Sequence, residues 1–256
     1  MDDWQQRTRI VLGDDGVARL ARAHVLIAGV GGVGGAVAEA VARAGVGQIT
    51  LLDHDTVGLS NLNRQLVALH STLGRYKAEA MAERLRDIRP EMQVNARVEF
   101  VRQDDADELI AGGGFDFVVD CIDSIACKAA LVHACQTHAV PVYSSLGAGG
   151  RLDVSKVGVS SLNQTHTCAL ARELRRALRE RGASLNSPVV YSWETPIKAL
   201  PHAPVGGDTP GRARAVNGTI SYMPNLFGMM LAGAALKGFL DAPVSSREVQ
   251  SENSGR

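Results

Sequence analysis

The first 150 residues alternate between short apolar runs and longer stretches with helical periodicity. The apolar runs predict strands near residues 25–29, 49–53, 94–100, 116–121 and 140–144. Between them, a helical repeat of apolar positions predicts helices over 33–44, 75–88, 104–111 and 125–138. Strands that alternate with helices in this way are typical of a parallel sheet with helices on both faces. The predicted fold is therefore an α/β protein with a doubly wound, mostly parallel, Rossmann-like sheet.

The pattern changes after Gly150. Additional strands are predicted over 151–159 and 188–193, with a helix over 168–181 between them and a C-terminal helix over 225–240 that is too short to cross a bilayer. Residues 195–214 hold four prolines and three glycines and predict a long surface loop. We expect four parts: an N-terminal arm, a Rossmann-like core, a substrate-side extension of the same domain and a disordered tail, over 1–24, 25–150, 151–242 and 243–256.

Composition narrows the functional classes. With 256 residues, 45% of them hydrophobic, the chain can bury a full core. Lysine plus arginine and aspartate plus glutamate both total 27, so any contact with RNA must come from a local basic patch. The N-terminus shows no secretory signal, and we expect a cytoplasmic protein without an integral membrane span. No Cys-x-x-Cys pair occurs, which argues against a structural zinc site and a disulfide framework.

A glycine-rich turn follows the first predicted strand, in the stretch Gly-Val-Gly-Gly-Val-Gly. In such a turn Gly29 permits the tight bend, Gly31 allows the backbone to approach a phosphate, and Gly34 lets the next helix pack against the strand. The helix N-terminus then faces the anion. This motif alone is weak evidence, because glycines after a strand are often simple turn residues.

The polar residues downstream make the motif specific. Asp53 falls where the ribose-binding acid of a dinucleotide fold is expected, although an acid there can also cap a turn. The chain then shows Asp-x-Asp at 53–55, Asn-x-x-Arg-Gln at 61–65 and Asp-x-x-Asp-Ser at 120–124. In this order the motifs resemble those of the ubiquitin-activating-enzyme-like adenylyltransferases, whose dinucleotide-type fold binds ATP instead of NAD.

The resemblance implies a role for each motif residue. Arg64 and Lys77 would lie along the phosphates, Asp53 would bind the ribose, and Asp123 would hold Mg²⁺, which commonly takes one or two carboxylates plus substrate phosphates. Asn61 and Gln65 would help to orient the nucleotide, while the roles of Asp55 and Asp120 are less defined. The expected ATP-binding residues are Gly29, Gly31, Gly32, Gly34, Asp53, Asp55, Asn61, Arg64, Gln65 and Lys77.

Simpler interpretations remain for the charged residues. Arg64 and Lys77 could be solvated surface charges of little energetic consequence. Asp123 precedes Ser124 and a predicted helix, so it could be an N-terminal cap. A non-enzymatic NAD-sensing module is a further alternative, but it would not explain the presence of Arg64, Lys77 and Asp123.

The segment before the first strand resembles the arm by which one subunit of this superfamily places an arginine on its partner's ATP. Arg9 is the first candidate for this catalytic role, and Arg7 is the second because the register is ambiguous. The alternative is an exposed arginine at a frayed terminus. The resemblance implies a homodimer.

Four stretches beyond residue 147 indicate the subfamily: 148–153, 170–175, 189–194 and 218–228. They resemble the tRNA threonylcarbamoyladenosine dehydratases, which use ATP to activate the carboxylate of the modified nucleoside and close it into a ring with loss of water. The family also suggests a cysteine desulfurase or sulfur acceptor as a partner. The alternative activity is adenylation of the C-terminal glycine of a ubiquitin-like or sulfur-carrier protein, although those enzymes usually carry zinc cysteines.

Two features of the second half carry open alternatives. Cys168 is the cysteine best placed for exposure and catalysis, but a free cysteine usually behaves as a small buried hydrophobe. Arginines at helical spacing could hold tRNA phosphates or could form the solvated face of an amphipathic helix. These arginines are Arg172, Arg175, Arg176 and Arg179, and Lys198, Arg212 and Arg214 could extend the patch.

Overall fold

The computed structural model describes residues 4–197 and 218–243. Its strands are β1 His24–Ala28, β2 Gln48–Leu52, β3 Gln93–Arg97, β4 Phe117–Asp120, β5 Val142–Ser145, β6 Val157–Ser161 and β7 Pro188–Ser192. Its α-helices are α1 Gln6–Arg22, α2 Gly32–Ala44, α3 Lys77–Ile88, α4 Ala106–Gly113, α5 Ile125–Thr137, α6 Ala169–Glu180 and α7 Tyr222–Asp241.

The strands form one sheet in the order β3-β2-β1-β4-β5-β7-β6. Every neighbouring pair is parallel except β6 with β7. Helices α2, α3 and α7 pack on one face, while α4, α5 and α6 pack on the other. The predicted fold class is confirmed. Because the order reverses between β1 and β4, the carboxyl ends of these two strands open a crevice of the kind where such sheets bind ligands.

Two elements, the N-terminal arm and the strand after Gly150, differ from what the hydrophobic pattern predicts. The predicted arm over 1–24 contains helix α1, which is interrupted at Gly13 with φ 71° and ψ 177°, a conformation that favours glycine. The strand predicted over 151–159 begins only at Val157. The reason is that the Asp153 carboxylate accepts a hydrogen bond from the Ser155 amide at 3.0 Å and starts a 3₁₀ turn instead.

Helix α7 has 20 residues and is longer than predicted, since Pro224 lies in its first turn, where a missing amide hydrogen costs no helical bond. Among the described residues it is the one helix long and apolar enough to cross a membrane, but 44% of its apolar window is buried inside the fold. A Cβ at Gly228 would lie 2.5 Å from the carbonyl oxygen of Val33. Helices α7 and α2 therefore cross in close contact, as expected for a helix packed on the sheet.

Several predictions fall outside the described residues. These are residues 244–256 of the predicted tail, residues 198–214 of the predicted loop, and the side chains of Lys198, Arg212 and Arg214.

Candidate nucleotide-binding site

A cavity of about 370 Å³ opens at the carboxyl ends of β1, β2 and β4. It gathers residues that are far apart in sequence, from the glycine turn to the turn after β4. The predicted residues that line it are Gly29, Gly31, Gly32, Asp53, Asp55, Asn61, Arg64, Gln65, Lys77 and Asp123. All predicted ATP-binding residues except Gly34 therefore face one space.

The glycine turn is fixed by close backbone contacts. Gly29 has φ +89°, and a Cβ there would lie 2.9 Å from the carbonyl oxygen of Cys121. A Cβ at Gly34 would lie 1.7 Å from the carbonyl oxygen of Gly29, so Gly34 serves helix packing behind the cavity. Helix α2 begins at Gly32, and its N-terminal amides and dipole favour an anion in the cavity.

Asp53 is 9% exposed and holds the turn through both carboxylate oxygens. Oδ2 accepts a hydrogen bond from the Val30 amide at 2.6 Å, and Oδ1 accepts one from the Asp55 amide at 2.8 Å. An ionised carboxylate has about four acceptor sites. The Asp53 carboxylate can therefore accept a further hydrogen bond from a hydroxyl group while it holds the turn.

Lys77 is buried at the start of α3, with 6% of its surface exposed. Its Nζ lies 2.8 Å from Asp55 Oδ2, and its amide donates to the Asp55 carbonyl oxygen at 2.9 Å. His54 Nε2 lies 3.3 Å from the other oxygen of the same carboxylate. Burial excludes the interpretation of Lys77 as a solvated surface charge, and both members of the ion pair line the cavity.

The loop between β2 and α3 presents the Asn-x-x-Arg-Gln motif. Asn61 Oδ1 accepts from the Gly58 amide at 3.0 Å, while the Asn61 carbonyl accepts from the amides of Arg64 and Gln65. The Arg64 guanidinium donates to the Ser60 carbonyl oxygen at 3.0 Å and stays partly exposed. Gln65 is 8% exposed, and its Oε1 has no hydrogen-bond partner. Such an unsatisfied buried acceptor at a cavity is suited to a polar ligand.

Asp123 lies on the turn between β4 and α5. The N-cap of α5 is Ser124, so Asp123 lies one residue before the helix cap, and it lines the cavity. A carboxylate in this position, beside an anion site, is a suitable ligand for Mg²⁺.

Sequence reasoning missed two parts of the site. Leu52, Phe100 and Val101 give the cavity an apolar wall that suits a flat base, and the Phe100 ring packs edge-on against His54 with centroids 4.8 Å apart. The sequence predicts Phe100 inside a strand over 94–100, whereas in the structure this strand, β3, ends at Arg97. The second part is a fully buried ion pair between Asp120 and Lys128, 2.6 Å apart. The sequence feature that could have indicated this pair is a lysine, Lys128, within the otherwise apolar stretch that forms α5.

The remaining candidates lie outside the cavity. Arg9 is on α1 and pairs with Asp14 of the same chain. Cys168 is only 6% exposed, so its predicted exposure is wrong. The reason is that the start of α6 packs against the loop after β5, where a Cβ at Gly147 would lie 4.0 Å from the Cys168 sulfur. Cys121 lines the cavity instead, and burial raises the pKa of its thiol.

The basic face of α6 is divided. Arg172, Arg176 and Arg179 are exposed, whereas Arg175 turns inward and donates to the Thr165 carbonyl oxygen at 3.0 Å. Glu173 pairs with both Arg172 and Arg176, at 3.4 and 2.9 Å. Three exposed arginines thus lie on α6, and two of them are already paired with Glu173.

Comparison with known proteins identifies relatives over nearly the whole chain. Residues 5–254 match the ThiF family. A tRNA threonylcarbamoyladenosine dehydratase of Bacillus subtilis is 34% identical over 231 residues, 89% of this chain and 91% of that protein. The Escherichia coli protein of that name is 41% identical over 181 residues, 70% of this chain and 67% of that protein.

Solved structures agree with the sequence relatives. The E. coli dehydratase TcdA in complex with AMP superposes with a TM-score of 0.82 at 34% identity, covering 94% of this chain and 96% of that one. The same enzyme has been solved with ATP, with a TM-score of 0.81 and the same coverage. A molybdopterin-synthase adenylyltransferase of Salmonella typhimurium is 39% identical over a shorter stretch, 60% of this chain and 60% of that protein.

Proposed function

The chain belongs to the ThiF family, and on this basis we propose that it is an ATP-dependent dehydratase that cyclises threonylcarbamoyladenosine in tRNA. The observation that carries the proposal is the gathering of the glycine turn, Lys77, Arg64 and Asp123 around one cavity. Relatives named tRNA threonylcarbamoyladenosine dehydratase align with most of the chain. Crystal structures of one of them contain ATP or AMP.

The first step is adenylation. A carboxylate oxygen of the nucleoside attacks the α-phosphate of ATP, and the bond to the leaving pyrophosphate breaks. Two anions must approach each other, so positioning and electrostatic stabilisation carry most of the catalysis. Lys77 and Arg64 would neutralise the phosphates, and the start of α2 would add its amides. Asp123 would hold Mg²⁺, which would neutralise further phosphate charge when bound.

The second step is ring closure. The carbamoyl group of the same nucleoside attacks the activated carbonyl carbon, loses a proton, and AMP leaves with the original carboxylate oxygen. The sum is loss of one water, with ATP converted to AMP and pyrophosphate. A well-oriented intramolecular attack of this kind can have an effective molarity of about 10⁵ M or more. The reaction therefore requires no protein nucleophile.

A homodimer and a cytoplasmic location are part of the proposal. The exposed apolar residues Ile10 and Val11 on α1, at 79% and 80% exposure, give this helix an uncovered edge that a second subunit would bury. Arg9 lies beside them on the same helix and would act on the partner's nucleotide. A sulfur-pathway partner stays a prediction.

The test is mass spectrometry of digested tRNA after incubation with the protein, ATP and Mg²⁺. Threonylcarbamoylated tRNA should give a nucleoside lighter by one water, with release of AMP and pyrophosphate, and unmodified tRNA should not. Added salt should slow the reaction because contacts with tRNA phosphates weaken. An unchanged nucleoside, together with AMP formation driven by a protein with a diglycine tail, would favour the sulfur-carrier alternative.

Asp123→Ala tests the metal assignment within the same assay. We expect turnover to fall by far more than a few-fold, since loss of a metal-ligand carboxylate removes charge neutralisation at the reacting phosphates. Asp104→Ala, which changes an exposed acid after β3, is the matched control. Turnover of Asp123→Ala within a few-fold of the parent would reject the assignment.

A further inference from the structure

The Asp120–Lys128 pair connects three elements beneath the cavity. Asp120 is the last residue of β4 and Lys128 lies in the first turn of α5, and neither side chain has any exposed surface. Lys128 Nζ lies 2.6 Å from Asp120 Oδ2 and 3.0 Å from the carbonyl oxygen of Ser145, the last residue of β5. One ammonium therefore joins the ends of two strands to a helix.

The other oxygen of Asp120 fixes the turn that carries Asp123. Oδ1 accepts a hydrogen bond from the Ile122 amide at 3.1 Å, directly before Asp123. On the far side, the Ser124 carbonyl accepts from the Lys128 amide at 2.9 Å, which is the first backbone bond of α5 and does not depend on the Lys128 side chain. The turn that carries Asp123 is thus held by the Asp120 side chain before it and by the start of α5 after it.

The same pair is also connected to a second segment that lines the cavity. The bond to Ser145 holds the end of β5, from which the chain continues to Ala148 and Gly149, and these two residues line the cavity. Neither Asp120 nor Lys128 lines it. The pair lies behind the cavity and is bonded to the ends of two segments that line it.

Stability alone does not account for an ion pair at this depth. Desolvation of two charges offsets most of their attraction, and a well-packed apolar pair of similar volume is often equally stable. An apolar pair, however, could not bond the Ile122 amide and the Ser145 carbonyl. The pair therefore supplies directional bonds that an apolar pair does not, and one of these bonds acts on the turn of Asp123.

We propose that Asp120 and Lys128 are positioning residues that hold Asp123 in place to receive the metal–nucleotide complex. This inference rests on the proposed adenylation activity. It predicts that replacing the pair with neutral residues of similar shape leaves the fold intact and weakens the response to Mg²⁺.

The test is the double variant Asp120→Asn/Lys128→Met. Single changes would leave a buried charge unpaired, whereas the double variant removes both charges and both bonds of the Lys128 ammonium. The side-chain amide at position 120 can still accept from the Ile122 amide, but no cation then holds that side chain in place. We expect its thermal midpoint to stay within a few degrees of the parent and its affinity for ATP in EDTA to change by less than about twofold. Calorimetry with Mg²⁺ should show that the gain in ATP affinity produced by the metal falls by about tenfold or more.

The matched control is Asp241→Asn/Lys237→Met, which makes the same two changes in an exposed pair at the end of α7. It should behave as the parent. A folded Asp120→Asn/Lys128→Met protein with the parent's Mg²⁺ response would overturn the proposal.

A second variant keeps the proposal testable if the double variant does not fold. Lys128→Arg keeps both charges but changes the length and shape of the cation, so it should fold and show a smaller loss of the Mg²⁺ response. Loss of folding in both variants would assign the pair to stability alone and also overturn the proposal. If the parent itself shows no Mg²⁺-dependent ATP binding, the proposed function fails, and that outcome is separate.

Discussion

The Val30 amide donates a hydrogen bond to Asp53 Oδ2 at 2.6 Å, which ties the turn after β1 to the end of β2. The bond joins the glycine turn to the acid expected to bind the ribose. The acid therefore has a structural task before any nucleotide arrives. Because the Asp55 amide bonds the other oxygen, Asp53 also fixes the backbone that places Asp55 opposite Lys77.

Asp53→Ala should reduce both stability and nucleotide affinity. The buried Val30 amide would lose its acceptor, so the free energy of unfolding should fall by about 1–3 kcal/mol. The relaxed turn should then bind ATP more weakly. Urea unfolding and calorimetry with ATP measure the two effects, with Asp104→Ala as an exposed control. A loss of ATP affinity at unchanged stability would show that Asp53 acts on the ribose alone.

The centre of the sheet was predictable because its strands are buried on both faces and read as apolar runs. In β4 all four residues are buried, and in β1 four of five are. The start of β6 was not predictable from hydrophobicity. There, a local hydrogen bond between Asp153 and Ser155 competes with the extended conformation, and the apolar pattern contains no sign of it.

The cavity lining was predictable where a motif has a fixed place in the fold. The glycine turn, Asp53 and Asp123 follow parallel strands, whose carboxyl ends meet at one edge of the sheet. The Asp120–Lys128 pair was not found, since the partner of a buried lysine depends on how α5 lies against β4 and β5. The exposure of Cys168 was misjudged for a similar reason, because the loop after β5 covers it.

Lys77→Ala should nearly abolish ATP–pyrophosphate exchange. Removal of a buried cation beside the phosphates should lower kcat/KM by about 10²-fold or more. Asp55→Asn leaves the ammonium but removes its ionic partner, and we expect about a tenfold loss, equivalent to one charge-assisted hydrogen bond. Lys237→Ala, on an exposed lysine of α7, is the control. Equal losses for Asp55→Asn and Lys77→Ala would assign direct catalysis to Asp55 as well.

Cys168→Ala should keep tRNA cyclisation within about threefold of the parent. The nucleoside supplies its own nucleophile once AMP is the leaving group, and the Cys168 side chain is buried at the start of α6. The measurement is the rate of formation of the lighter nucleoside. Cys135→Ala is a control for buried thiols, since burial raises the pKa of Cys135 to about 12 and keeps it protonated. A folded Cys168→Ala protein without activity would establish a cysteine-dependent step.

Arg9 should act across a dimer, because it lies on α1 outside its own cavity and beside the exposed apolar residues Ile10 and Val11. Arg9→Ala and Lys77→Ala should each be inactive alone. When the two are mixed, a heterodimer contains one site with both parts intact, so a fraction of the adenylation activity should return. Mixing Arg64→Ala with Lys77→Ala is the control, since those residues share a cavity and leave both sites defective. Absence of recovery in a verified Arg9→Ala heterodimer would contradict action in trans, and Arg7→Ala in the same design decides between the two arginines.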